Sequence, residues 1–191
     1  MISRYYITDR HPLGGVEALV TNIARRLDEG MAMIQLREKD LPVRDQLALA
    51  RRVRALANPH GTKILINDRL DVALAAGLDG VHLRGHAPAP AELRAYVPSG
   101  FLFGVSCHSL DDVRRAATAD FVVLGPVFES FSKPGYGPAI GLDSLAQASR
   151  TMPVYALGGI TADNAQACID AGAAGVAAIT MFQRPEASRR G

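Results

Sequence analysis

Eight short apolar runs, separated by helical or glycine-punctuated stretches, constrain this 191-residue chain more than any other feature. They are Arg4–Thr8, Met33–Leu36, Lys63–Ile66, Gly80–Leu83, Phe101–Ser106, Phe121–Leu124, Val154–Leu157 and Gly175–Ile179. Helical patterns lie between them over Gly15–Glu29, Val43–Ala57, Leu110–Ala119 and Asp163–Ala171. Such alternation is the signature of βα units on a parallel sheet. Eight units predict an α/β fold of the (β/α)8 TIM-barrel type rather than an open doubly wound sheet. The stretches AAGLDGVHL, ATADFVVLG and AGAAGVAAIT support the count, each running from a helix end through a small residue into a buried strand. Gly77 and Gly172 are expected to close helices in the left-handed conformation. Barrels of this kind typically take about 250 residues, so a compact barrel with tight loops is expected. Only Gln183–Gly191, with Pro185, follow the last strand, which predicts a short or missing last helix. Residues 1–191 are expected to form a single domain.

Composition narrows the function classes. Hydrophobic residues make up 48% of the chain and aromatics only 6%, which suits an interior packed by aliphatic side chains. A net charge of +2 is too small to point to a nucleic-acid footprint, and Arg51, Arg52 and Arg54 fall on what reads as a solvated helix face. No apolar run reaches the roughly 18 residues of a membrane span, and MISRYYITDR has no signal-peptide core. Cys107 and Cys168 lie far apart and form no metal or redox motif, so reduced thiols and a cytoplasmic location are expected.

A barrel predicts that chemistry collects just beyond each strand, and this chain carries polar residues there. Arg37 and Lys39 follow the second strand two positions apart, on one side of an extended segment, where Arg can grip phosphate oxygens and Lys can act as a point charge. Asn67 and Asp68 follow the third; Asp68 is a candidate Mg²⁺ ligand or the N-cap of the next helix. His82, inside the fourth strand, reads as a hydrogen-bonded core residue. Ser106 and His108 end the fifth without an acid partner, which argues against a hydrolase triad. Ser109 with Asp112 resembles a capping box. The buried run Phe121–Leu124 stops at Gly125-Pro126 and opens into a loop bearing Ser130, Ser132 and Lys133. Gly158-Gly159 after the seventh strand, and Thr180 after the eighth, stand where barrels bind phosphate through backbone N–H groups.

Taken together, the motifs YYITD, IQLREK, INDR, DGVHL, GVSCHS, ADFVVLGPVFESFSK, ALGGIT and GVAAIT, in this order, make the chain similar to the thiamine phosphate synthase/TenI superfamily of barrels over almost its whole length. The resemblance implies a transferase of thiamine biosynthesis that joins a hydroxymethyl-aminopyrimidine diphosphate to a thiazole phosphate and releases pyrophosphate with Mg²⁺. It implies that Gln35 contacts the pyrimidine, and that Arg37, Lys39, Asn67, Ser106 and Lys133 hold the diphosphate. It implies Asp68 as the metal ligand. Ser130 and Ser132 would stand near the thiazole phosphate, with Gly158, Gly159, Ile179 and Thr180 completing its cup. The implied partners are phosphorylated small molecules, with neither nucleic acid nor membrane involved; a homo-oligomer stays open.

One departure matters. Synthases usually read HLGQ after the fourth strand, followed by a second Mg²⁺-binding aspartate; here the stretch is His82-Leu83-Arg84-Gly85-His86-Ala87, with Ala87 at the aspartate position. His86 is a candidate substitute contact. The tautomerase branch of the superfamily needs no metal but carries a histidine where this chain has Pro126. The synthase reading is therefore preferred. The alternatives are a thiazole tautomerase with His108 as acid/base, a non-catalytic binder of thiamine or thiazole phosphates, and another phosphate-handling barrel enzyme.

Overall fold

In the computed structural model, which describes residues 2–129 and 138–183, each strand pairs in parallel with the next and the eighth returns to the first. The elements are β1 (Ser3–Ile7), α1 (Val16–Asp28), β2 (Met33–Leu36), α2 (Val43–Arg54), β3 (Lys63–Asn67), α3 (Leu70–Ala76) and β4 (Gly80–Leu83). There follow α4 (Pro90–Leu93), β5 (Leu102–Cys107), α5 (Leu110–Arg115), β6 (Phe121–Leu124), α6 (Gly141–Ser149), β7 (Val154–Ala156), α7 (Ala165–Asp170) and β8 (Gly175–Ala178). This is the expected closed (β/α)8 barrel. Its register runs Tyr5↔Met33 on one side of β1 and Tyr5↔Ala177 on the other.

Alternation along each strand splits the core into two layers. Tyr5, Ile7, Met33, Leu65, Phe121, Val123 and Ala177 fill the inside of the ring. The intervening residues, such as Ile34, Ile64, Val81, Val122 and Val176, face the helices. Inside, bulk is offset by glycine: a Cβ on Gly104 would lie 2.5 Å from the Phe121 ring and 2.7 Å from His82 Nδ1. Tyr5, Phe121 and Tyr155 meet edge to face, with centroids 5.5–5.8 Å apart.

The repeat read from the sequence has a hydrogen-bond counterpart. The N–H groups of Asp79, Asp120 and Ala174 donate to the carbonyls of Ile64, Phe103 and Val154. In the first two copies the carboxylate also accepts the N–H of that same residue, Ile64 to Asp79 at 2.9 Å and Phe103 to Asp120 at 2.6 Å. Gly77 closes α3 in the left-handed conformation, and Gly172 also has positive φ, as expected. Ser109 caps α5 by accepting from the Asp112 N–H, but the return arm of the box differs: Asp112 accepts from His108 N–H rather than from Ser109.

After β8 the described residues make a 3-10 turn, Thr180–Phe182; the expectation of a short or missing last helix falls on residues 184–191, outside the described residues. The buried face of α1 anchors that turn. The Phe182 carbonyl accepts from Asn22 Nδ2 at 3.1 Å and Arg26 Nε at 2.8 Å, and Gln183 donates to the Asp9 carbonyl at 2.6 Å.

Candidate active site

Gln35, at the end of β2, is buried, and its side-chain amide donates to the Tyr5 hydroxyl at 2.9 Å. Tyr5 in turn lies 3.2 Å from His82 Nδ1, and His82 Nε2 lies 2.9 Å from Ser106 Oγ. The phenol has one proton to give, and among the described residues Nδ1 is its acceptor. The imidazole then carries its own proton on Nε2 and donates to Ser106, whose hydroxyl proton is left for another acceptor. Burial, reinforced by the nearby positive charge of Arg37, pushes His82 down to about 3, so it stays neutral. Burial likewise raises the Tyr5 phenol far above its ordinary value. His82 is thus the hydrogen-bonded core residue expected, and it also orients Ser106.

A cleft of about 270 Å³ opens beyond the ends of β2, β3 and β4. Lys39, Asn67, Asp68, Arg69 and Arg84 line it with Glu38. Glu38 is buried and committed, accepting from Thr8 Oγ1 at 2.6 Å and from the Arg10 side chain at 3.2 Å. Arg69 is paired with Asp71 at 2.5 Å. Asp68 holds φ at 58°, alone in that region among the described non-glycine residues. This backbone turns its carboxylate toward the end of β4. Oδ1 accepts the Arg84 N–H at 3.0 Å, while Oδ2 accepts Asn67 Nδ2 at 3.0 Å and forms an ion pair with Arg84 Nε at 2.7 Å. Helix α3 begins at Leu70 with no side-chain cap, so Asp68 does not serve as its N-cap.

These residues do not fit the magnesium site that the resemblance implies. Asp68 supplies one carboxylate, already engaged by two hydrogen bonds and an ion pair with Arg84. Ala87 stands where the second carboxylate would be. Among the described residues no cluster of three His, Cys, Asp or Glu side chains is placed to hold a metal. A dication at Asp68 would face the Arg84 guanidinium at a few ångströms, a repulsion of several kcal/mol even at a surface-like dielectric.

The remaining candidates sit on the same rim of the barrel. Arg37 is half-buried just past β2, with its N–H on Thr8 Oγ1 at 2.9 Å. His108 Nδ1 donates to the Gly125 carbonyl at 2.7 Å, the donor being assigned because a carbonyl only accepts. Gly158 and Gly159 have φ of 93° and 64°. They also lie against the chain leaving β6: a Cβ on Gly158 would be 2.6 Å from Pro126 Cα, and one on Gly159 would be 2.5 Å from the Glu129 carbonyl oxygen. Asn164 Nδ2 bonds the Gly159 carbonyl at 2.8 Å, fixing the turn. Ile179 packs on the ring interior and Thr180 is exposed at the start of the final turn. These four residues do not line the 270 Å³ cleft. Ser130, Ser132 and Lys133 lie outside the described residues.

A family model described as thiamine monophosphate synthase matches residues 4–182. The chain belongs to this family. It is 42% identical over 194 residues to the thiamine-phosphate synthase of Roseiflexus sp. (strain RS-1), covering 97% of this chain and 81% of that one. It is 46% identical over 165 residues to the thiamine-phosphate synthase of Methanoculleus marisnigri, covering 84% and 78%. Among solved structures, thiamine phosphate pyrophosphorylase from Pyrococcus furiosus superposes with a TM-score of 0.81 at 31% identity, covering 97% of this chain and 89% of that one. Motif reading of the family gives no role to Tyr5 or to Arg84. The period-2 pattern of β1 puts Tyr5 on the ring interior with Ile7, and that signal was available. Arg84 is one residue past β4, and only the fold brings it to Asp68.

Proposed function

We propose that residues 1–191 form one thiamine phosphate synthase/TenI-like barrel domain that transfers the hydroxymethyl-aminopyrimidine group from its diphosphate to thiazole phosphate. The products are thiamine phosphate and pyrophosphate. One observation carries the reading: a family match over nearly the whole chain coincides with a cation-lined cleft at the carboxyl ends of the strands, where barrels keep their chemistry.

Each candidate has a physical task. The Gln35 amide is spent on Tyr5, which leaves its carbonyl as acceptor for the pyrimidine amino group. Ser106, accepting from His82, turns its hydroxyl proton to a diphosphate oxygen. Arg37, Lys39 and Asn67 supply charge and donors to the same group, as does Lys133. The N–H groups around Gly158, Gly159, Ile179 and Thr180, with Ser130 and Ser132, take the thiazole phosphate. The bond from the pyrimidine methylene to the diphosphate oxygen breaks, and its electron pair leaves on pyrophosphate. The thiazole nitrogen supplies the pair for the new C–N bond, and no proton moves. The barrel therefore works by positioning and by charge on the leaving group. Thiamine-phosphate synthases generally use Mg²⁺, but no step is routed through it here because Arg84 engages Asp68. A cytoplasmic location suits the two buried free thiols, Cys107 and Cys168. No described helix is long and apolar enough to cross a membrane.

The test is to incubate the protein with the pyrimidine diphosphate and thiazole phosphate and quantify both products. Equal amounts of thiamine phosphate and pyrophosphate are expected. Isomerisation of a thiazole carboxylate phosphate without coupling would overturn the reading in favour of a tautomerase.

A further inference from the structure

The corner where β3 and β4 end is built around an ion pair rather than around a metal. Asp68 is held in a backbone conformation that few non-glycine residues adopt, and its carboxylate takes two hydrogen bonds, from Asn67 and the Arg84 N–H, and an ion pair with the Arg84 guanidinium. Such a local cost persists where the surroundings over-determine it, and here the backbone and side chain of Arg84 grip the same carboxylate. The result is a fixed guanidinium. Its Nε is on Asp68, and its terminal amino groups have no protein partner among the described residues. The Arg84 side chain is 61% exposed while that of Asp68 is only 16% exposed. The carboxylate is therefore the buried anchor and the arginine is the group presented to the cleft.

Charge arithmetic agrees. Two carboxylates with one Mg²⁺ sum to zero, and so do Asp68 with Arg84 beside a neutral Ala87. The corner thus has the net charge of a loaded metal site with no metal. The other cations of the cleft do not duplicate this part: Arg69 is turned onto Asp71, and Lys39 comes from the far wall beyond β2.

We infer that Arg84, oriented by Asp68, takes the place of the metal as the cation that receives the leaving diphosphate, so that transfer proceeds without Mg²⁺. Arg fits this task because its planar fork can donate two parallel N–H bonds to phosphate oxygens while Nε stays on the carboxylate. The electron pair of the breaking C–O bond goes to pyrophosphate, and the guanidinium neutralises the growing charge without itself giving up a proton. The inference rests on the transferase reading above for its chemistry, but its binding half does not.

Two measurements test it, made on the full chain and on Arg84→Gln and Arg84→Lys. The first is the rate of pyrophosphate release from the pyrimidine diphosphate and thiazole phosphate, in chelator and in Mg²⁺. The unaltered protein is expected to turn over at similar rates in both, and Arg84→Gln to lose about 100-fold in chelator. Arg84→Lys should recover part of that loss, which a structural role for the arginine would not allow. Loss of turnover in chelator that Mg²⁺ restores, with Arg84→Gln unchanged, would overturn the inference. The second is calorimetric binding of inorganic pyrophosphate in chelator, expected to weaken about 10- to 100-fold in Arg84→Gln. Pyrophosphate binding that needs Mg²⁺ and ignores Arg84 overturns the inference even if no transfer is seen. Absence of transfer under every condition, with metal-free binding that depends on Arg84, sinks the transferase reading and with it the transfer half of this inference, and upholds its binding half.

Discussion

His82 is held neutral by burial, with its value pushed down to about 3 from an ordinary 6.5, and this has a sign that can be measured. Below about 6.5 the unfolded chain takes up a proton on this ring, while the folded protein refuses it until about 3. The stability due to a neutral His82 is therefore complete above about pH 6.5 and is lost as pH falls toward 3. Between about pH 7 and pH 5 the loss should be about 2 kcal/mol, read from urea midpoints at constant m-value. In His82→Gln that slope should flatten; an unchanged slope would assign the pH response elsewhere. Legibility at this scale was uneven. The position of His82 within an apolar strand already marked it as a core histidine. Asp68 was different: its N-cap and metal readings both come from local pattern, whereas its partner Arg84 is sixteen positions away and is brought to it by strand pairing. Gly158 and Gly159 read as a phosphate turn, yet the close approach of Pro126 and Glu129 also demands them, and nothing in the seventh unit alone announces that.

Among elements, the repeated strand entry shows how a side chain can seed a barrel strand pair. Asp120 accepts the Phe103 N–H and is paired with Arg94 at 2.8 Å, so one carboxylate ties β5 and β6 to the turn after α4. Asp120→Ala leaves that buried N–H without its partner and should destabilise the protein by about 1–3 kcal/mol. Asp120→Asn keeps an acceptor oxygen and should cost less; equal losses for the two would show that the backbone bond is not what matters. The third copy carries Ala174 and lacks this tie. The strand cores were legible because each is a short buried run flanked by turn residues, and their observed ends fall within one or two positions of the expected ones. The carboxylate ties were not, because an Asp before a strand has the same local appearance whether it faces solvent or a neighbouring N–H.

At the level of the whole molecule, the ring interior relies on a few large side chains fitted against glycines. Phe121 touches both Tyr5 and Tyr155, so Phe121→Ala should lose about 3–5 kcal/mol, and chemical denaturation would measure it. A loss near that of a surface substitution, about 0.5 kcal/mol, would mean that the interior collapses around the gap. Closure of the ring was legible from the count of eight units. The filling was less so, since which aromatic meets which glycine depends on register across neighbouring strands. The chain of contacts from Gln35 through Tyr5 and His82 to Ser106 crosses four strands of that interior. Its central imidazole is locked in one tautomer, out of reach of solvent, with its only proton aimed at the Ser106 hydroxyl. On the proposed role of Ser106, the nitrogen resonance of that single ring is expected to shift when a diphosphate arrives, with no label needed on the ligand.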